Sequence, residues 1–330
     1  MGTHATPRGA VTRRAALALA GAPLATPAFG QAPWPTGPVR YVCVFPPGGS
    51  TDTLSRIWCQ RMAEITGQSF VVDNRGGSGG NVGTEVIARA APDGTTIGLA
   101  SVSSMSIAPT LYRRLAYDAN RDFSWICGLW QLPNLLVARP DLPVRNITDL
   151  IALCRADPGR YTFASAGAGT TLHIAGEMFK QMAGVNILHV PYRGGGPAYI
   201  DLLGGRVDMI FGNFPEASRL SREDKVRPLA TTGATRSPQL PDVPAMAEFL
   251  PGYEINSWGG ACGPAGIPPA IVARMGELGR QALESPEVKR RYEEGGASAW
   301  WTTPEGLADF RRENEVRFAP LIRASGAVVE

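Results

Sequence analysis

The run Val39-Arg40-Tyr41-Val42-Cys43-Val44-Phe45-Pro46-Pro47-Gly48-Gly49-Ser50-Thr51-Asp52 decides the fold. Valines and aromatics dominate its first half, as a buried strand requires, and two prolines and two glycines then turn the chain. An apolar repeat at helical spacing follows over 51–65, and 70–73 is β-rich again. Strand, glycine-rich turn, helix and strand in that order make a βαβ unit, the building block of a parallel sheet.

The alternation continues outward with a helix at 82–90 and a strand at 96–100. It resumes with helices at 148–155, 170–183 and 197–203 and strands at 161–165, 187–191, 207–211 and 226–231. Between the two sets lie strand-like 125–130 and 135–138, and 254–262 reads as one more strand. Helices at 269–283, 286–294 and 304–324 each open on a proline, which the first turn of a helix accommodates because its N–H is unpaired there anyway. These last helices need a sheet to cover, and the first sheet is the one otherwise bare. The expected fold class is therefore α/β with two lobes, each a largely parallel sheet flanked by helices. Residues 33–126 and 255–330 form lobe 1, residues 127–254 form lobe 2, and a cleft lies between them.

Composition supports two ordinary cores: the chain has 330 residues, 44% hydrophobic and 18% charged. Disorder, collagen and coiled coil are excluded on that balance. Residues 1–32 carry Arg13-Arg14 before a short Ala-rich apolar segment and small residues spaced for cleavage, and read as an export signal of twin-arginine type, with the general secretory route also open. Removing them takes away Arg8, Arg13 and Arg14 and no acid, so the net charge of +3 becomes zero. A neutral body without a basic stripe gives no footprint for nucleic acid. Beyond the signal no run approaches the roughly 18–20 apolar residues of a membrane span, so a soluble periplasmic protein is expected. Five cysteines are too few and too scattered for a disulfide scaffold, and no metal-ligand spacing occurs. They are expected mostly as buried small hydrophobes, with Cys127 and Cys262 the candidate pair if one bridge forms.

Open parallel sheets bind ligands beyond the C-terminal ends of their strands. Two such ends carry glycine-rich loops that open helices, 45–52 and 165–173, where glycine permits close approach and first-turn N–H groups favour an anion such as a carboxylate. Neither loop matches a nucleotide-binding fingerprint, so no cofactor is expected. For each loop alone, plain turn and cap chemistry is the competing reading. The glycine run 74–83 serves as a ligand loop or as a surface loop. In 189–198, Arg193 could pair with a carboxylate or simply be solvated. His173 reads as structural more readily than as a general base, and Asp52 as a ligand for an amine or a helix-start acid. Trp258 walls the cleft or packs in the core.

An ordered set of motifs resembles the Bug-type periplasmic solute-binding proteins of tripartite tricarboxylate transporters. It comprises Pro46-Pro47-Gly48-Gly49-Ser50-Thr51-Asp52, Asn74-Arg75-Gly76-Gly77, Ala91-Pro92-Asp93-Gly94, Leu115-Ala116-Tyr117-Asp118, Gly167-Ala168-Gly169-Thr170 with His173, His189-Val190-Pro191-Tyr192-Arg193-Gly194, Leu240-Pro241-Asp242-Val243-Pro244 and Pro264-Ala265-Gly266. The resemblance runs from about residue 35 to the C-terminus. It implies a type II Venus-flytrap fold that traps a small carboxylate or amino acid through backbone amides and hydroxyls, without catalysis, and hands it as a monomer to membrane permease subunits. The candidate ligand residues are Pro47, Gly48, Gly49, Ser50, Thr51, Asp52, Ser101, Ser165, Gly167, Gly169, Thr170, His173, Tyr192, Arg193, Gly212 and Asn213. The family usually carries an acid where Gly212-Asn213 stands and often Lys where Arg193 stands. Loss of that acid would remove a partner for a ligand amine, which points to a plain carboxylate. The competing readings are an exported hydrolase using Ser50 or Ser165 with His173, and a ligand sensor for a membrane kinase.

Overall fold

The computed structural model describes residues 1–4, 34–325 and 327–329. The predicted export signal, apart from its first four residues, lies outside the described residues, and so do positions 326 and 330.

The first set of elements is β1 (Val39–Cys43), α1 (Ser50–Thr66), β2 (Phe70–Asn74), α2 (Asn81–Ala88) and β3 (Thr96–Ser101), then a wide π-helical turn, Ser103–Ile107, running into the short α3 (Ala108–Leu111). Then β4 (Phe123–Ala138) leads to α4 (Ile147–Ala156), β5 (Thr162–Ser165), α5 (Thr171–Ala183), β6 (Leu188–Pro191), α6 (Gly195–Leu203), β7 (Met209–Asn213), α7 (Phe214–Arg222) and β8 (Arg227–Thr231). The chain closes with β9 (Asn256–Pro264), α8 (Pro269–Glu284), α9 (Pro286–Glu294), β10 (Ser298–Ala299) and α10 (Pro304–Ser325).

Strands β2, β1 and β3 are parallel, β9 lies antiparallel between β3 and β4, and β5–β7 form the second parallel group. The expected strands at 125–130 and 135–138 are one 16-residue strand, β4. Its first part pairs with β9 as far as Pro133, and from Asn134 it runs between β7 and β8. Pro133 does not break it, because the missing N–H falls where pairing passes from one neighbour to the next. The two sets of strands therefore share β4 and form one curled sheet.

Helices α8 and α9 pack on α1, while α10 reaches β4, the Ser103–Leu111 segment and α5. The largest buried side chains include Trp58, Trp130, Trp258 and Phe163. Trp258 sits edge-on to Trp300 and Phe310, which makes it a core residue. Among the described residues no helix is long and apolar enough to cross a membrane.

All five cysteines are buried free thiols, so Cys127 and Cys262 are not bridged. Register explains this: Cys127 faces Ala261 while Cys262 faces Trp125. Neighbouring residues on β9 point to opposite faces, which leaves the two thiols on opposite sides of the sheet.

Candidate functional site

Two helix starts converge on one cavity. Helix α1 follows Gly49, whose backbone is extended, and no side chain caps its first turn. Helix α5 starts in the same way after Thr170. Each start presents first-turn N–H groups and the positive end of the helix dipole, which together favour an anion, and at α1 the first of these groups, Ser50 N–H, is taken by the Glu216 carboxylate. The cavity holds about 320 Å³ and is lined by 45–51 of the first loop and by Ala166 and 170–172 of the second. Ser101 and Ser103 flank it, Trp130 and Ser257 come from the long crossing strands β4 and β9, and Gly194–Pro197, Tyr199, Asn213 and Glu216 complete the wall. A volume of this order suits a small organic molecule.

Contacts across the cleft hold the loops together. Ser50 N–H donates to Glu216 Oε1 at 2.5 Å, and Asn213 Nδ2 donates to Ser50 Oγ at 2.8 Å. Asn213 is itself held by Asn134, whose Nδ2 donates to Asn213 Oδ1 at 3.2 Å. The glycine run 74–83 is not part of the cavity wall. It lies against the second loop, where a Cβ on Gly79 would come within 2.7 Å of the Ala168 carbonyl oxygen, and Gly79 also has φ +65°. Only glycine permits both the close approach and that backbone conformation.

Of the residues expected at the ligand, Pro47, Gly48, Gly49, Ser50, Thr51, Ser101, Thr170 and Asn213 line the cavity. The others stand behind it. Asp52 braces the first loop by accepting from Gly48 N–H, Arg56 and Asn74. Burial works against its charge, but these donors outweigh it and hold the carboxyl below its ordinary range. Gly167 and Gly169 take positive φ and shape the second loop. Tyr192 donates to Asp201 at 2.7 Å, and Arg193 is exposed. Ser165 is fully buried and bonds His189 Nε2 at 2.6 Å. Its partner is therefore His189 and not His173, and its hydroxyl has no access to the cavity, which disfavours the hydrolase reading.

His173 and His189 stack with ring centroids 4.1 Å apart beneath the second loop. Gly169 N–H donates to His173 Nδ1 at 3.2 Å, so that nitrogen is unprotonated. Burial, assisted by the charge of Lys180, pushes His173 down to about 4. Burial, then His173 and Lys180, pushes His189 down to about 3.

Sequence reading missed Glu216, Tyr199 and Trp130. Glu216 sits in the first turn of α7, an unpredicted helix, although Pro215 at its start, Glu216 after it and Arg219 and Arg222 at its end are ordinary boundary signals. The expectation that the cleft lacks an acid is thereby overturned, since Glu216 supplies one. Gly212 has a steric explanation: a Cβ there would lie 1.8 Å from the Tyr199 hydroxyl. Trp130, and not Trp258, walls the cleft.

The family model described as tripartite tricarboxylate transporter family receptor, TctC, matches residues 54–327. The chain belongs to this receptor family. BugT of Bordetella pertussis is 33% identical over 296 residues, which cover 89% of this chain and 91% of that protein. Among solved structures, Rpa4515 of R. palustris with adipate is 34% identical, covers 89% of this chain and 99% of its own, and superimposes with a TM-score of 0.87. MatC from Rhodopseudomonas palustris with bound malate is 30% identical, with coverage of 88% and 100% and a TM-score of 0.82. The two-lobed α/β fold of these TctC-type proteins is the fold of this chain.

In this TctC-family receptor the Gly212–Tyr199 contact is open to test. Gly212→Ala is expected to lower stability by about 1 kcal/mol, a modest amount because the far end of a tyrosine can give way. Chemical denaturation checks it, and Tyr199→Phe in the same background should recover part of the loss. A destabilisation that Tyr199→Phe leaves untouched would count against the steric account.

Proposed function

We propose that this receptor captures a small carboxylate in the cavity between the first and second loops and presents it to the membrane subunits of a tripartite tricarboxylate-type transporter. The observation that carries the reading is the convergence of two helix starts, α1 and α5, neither capped by its own N-cap side chain, on one cavity of about 320 Å³. Adipate and malate in two solved relatives support the same ligand class. Charge-assisted bonds from backbone N–H groups contribute on the order of 1.5–3 kcal/mol each. A few of them suffice for a micromolar complex after ordering costs, with no basic residue in the pocket.

In the same reading, the segments 33–126 and 255–330 move as one lobe and 127–254 as the other. The motion bends β4 and β9, which carry Trp130 and Ser257 at the floor of the cavity. The ligand contacts are Pro47, Gly48, Gly49, Ser50, Thr51, Ser101, Thr170 and Asn213, with Asp52, Gly167, Gly169 and His173 shaping the loops behind them. Export through the signal at 1–32 puts the protein in the periplasm as a monomer.

A thermal-shift series with dicarboxylates, tricarboxylates and amino acids tests the proposal. A ligand at 100 times its dissociation constant adds about 2.7 kcal/mol to stability. A shift of several degrees with a carboxylate class, with the compound recovered unchanged, is the expected result. Absence of any shift, from protein shown by mass spectrometry of its denatured extract to carry no ligand, would overturn it.

A further inference from the structure

Among the described residues that line the cavity there is no lysine, arginine or histidine, and the one carboxylate is that of Glu216. Holding an anion here therefore falls to the two helix starts, and they differ in one respect. At α1 the protein's own carboxylate is already in place, with Ser50 N–H donating to Glu216 Oε1 at 2.5 Å. The contact is braced, because Asn213 Nδ2 donates to Ser50 Oγ and Asn134 Nδ2 donates to Asn213 Oδ1. A second amide of the same loop, Gly48 N–H, goes to the carboxylate of Asp52. At α5 no side chain caps the first turn, and Thr170, Thr171 and Leu172 of that start line the cavity.

Two physical effects follow at α1. The Ser50 N–H is spent, and the charge of Glu216 offsets the positive end of the helix dipole that would otherwise attract an anion. The second oxygen of Glu216 is closed to solvent, so the carboxylate answers Ser50 and is not offered to an amine on a ligand. Arg219, one turn further along α7, is engaged by Glu223 at 2.7 Å. Burial already pushes Glu216 up from its ordinary value. A further anion seated at α1 would add like-charge repulsion in a site of low polarity, where such repulsion is strong. The side chains of Phe45, Trp130 and Leu172 on the wall suit an uncharged body instead.

We propose that Glu216 fills the carboxylate seat at the start of α1 from within the protein, so that this receptor selects ligands with a single carboxylate, held at the start of α5, and excludes the corresponding dicarboxylates. The inference deepens the carboxylate-receptor reading and rests on it. In this the chain departs from the two relatives that hold adipate and malate.

Pairs of acids that share a skeleton decide the matter: butanoate and succinate, hexanoate and adipate, benzoate and terephthalate, each titrated calorimetrically into the purified protein near neutral pH. In every pair of which a member binds, the monocarboxylate should bind at least about tenfold more tightly, the difference that one charged hydrogen bond makes. Glu216→Ala vacates the seat and removes the charge, and should lower that ratio by at least about threefold through a gain in dicarboxylate affinity. A dicarboxylate that the unmodified protein binds within about tenfold of its monocarboxylate, or more tightly, would overturn the proposal while leaving the carboxylate receptor standing. So would a folded Glu216→Ala protein whose ratio falls by less than about threefold. Binding of none of the six would overturn the carboxylate reading itself, and this inference with it. Circular dichroism checks the fold of the variant, and should it not fold, the ratio in the unmodified protein decides alone.

Discussion

Between pH 6.5 and pH 4.5 the protein is expected to lose several kcal/mol of stability, driven by two histidines. His173 and His189 are held neutral in the folded state, at about 4 and about 3, chiefly by burial. The unfolded chain takes up protons on both near pH 6.5. As pH falls below that value the unfolded state binds protons that the folded state refuses, so stability is whole above pH 6.5 and drains away below it. Each histidine accounts for about 2 kcal/mol over these two pH units. Lys180 adds repulsion, while Glu177, 3.9 Å from His173 Nε2, is already engaged by Lys180 at 2.9 Å.

The loss has a local origin as well as a global size. Protonating His173 Nδ1 turns the acceptor for Gly169 N–H into a second donor, and protonating His189 breaks the balance of its bond to Ser165. Both bonds hold the second loop, and because the folded protein keeps both rings largely neutral until pH nears 4, ligand affinity should hold over this range while stability falls. Urea denaturation at half-unit intervals from pH 7 to pH 4.5 measures the slope, and His189→Gln should flatten it by about half. A midpoint that stays constant over this range would refute the account. Carboxylates held low in the folded state, such as Glu248 at about 2, add to the loss only below about pH 5, so the slope between pH 6.5 and pH 5 isolates the histidines.

Gly176→Ala is expected to destabilise the protein by about 2–3 kcal/mol, although alanine is the better helix former. A Cβ at this position would lie 2.1 Å from Cε2 of Phe163 and 2.5 Å from two more ring atoms. Phe163 cannot yield. It is fully buried, stacked on His189 at 4.9 Å and edge-on to Phe211 at 6.1 Å. Helix α5 must move off the sheet instead, and it carries Thr170–Leu172 away from the cavity. Melting should fall by roughly 5–10 °C, and affinity for the ligand should fall with it. An unchanged or higher melting temperature, as helix propensity alone dictates, would show that α5 has more room than the contacts allow.

Most strands and helices of both sets are legible in the sequence because their apolar periods are regular and because glycine or proline punctuates many of their boundaries. The two glycine-rich loops at the cavity are legible for the same reason: Gly48-Gly49 and Gly167-Ala168-Gly169 stand at strand ends that open helices. What could not be read was whatever depends on a partner distant in sequence. Nothing near Gly212 announces that Tyr199 occupies its side-chain space, and nothing near Ser50 announces that Glu216 closes over it. Asp52, Ser165 and His173 are the right residue types in the right loops, yet their side chains turn inward to brace those loops. Side-chain direction there is set by local bonds such as Gly48 N–H to Asp52, which spacing does not encode. Helix α7 is legible in principle, since Pro215, Glu216, Arg219 and Arg222 mark its two ends.

The place of β9 also determines when the molecule can be completed. It lies between β3 and β4 in the sheet yet follows both by more than a hundred positions in the chain. During synthesis from the N-terminus, β5 to β8 and the far half of β4 can assemble while β3 and the near half of β4 still confront each other across a gap one strand wide. Both borders carry unpaired backbone groups and apolar side chains such as Leu99 and Ile126, an invitation to stray pairing with other chains. The nascent protein therefore carries an open seam at the floor of its future cavity until nearly four-fifths of it has been made, and the strand that closes the seam also brings Ser257 to the cavity wall.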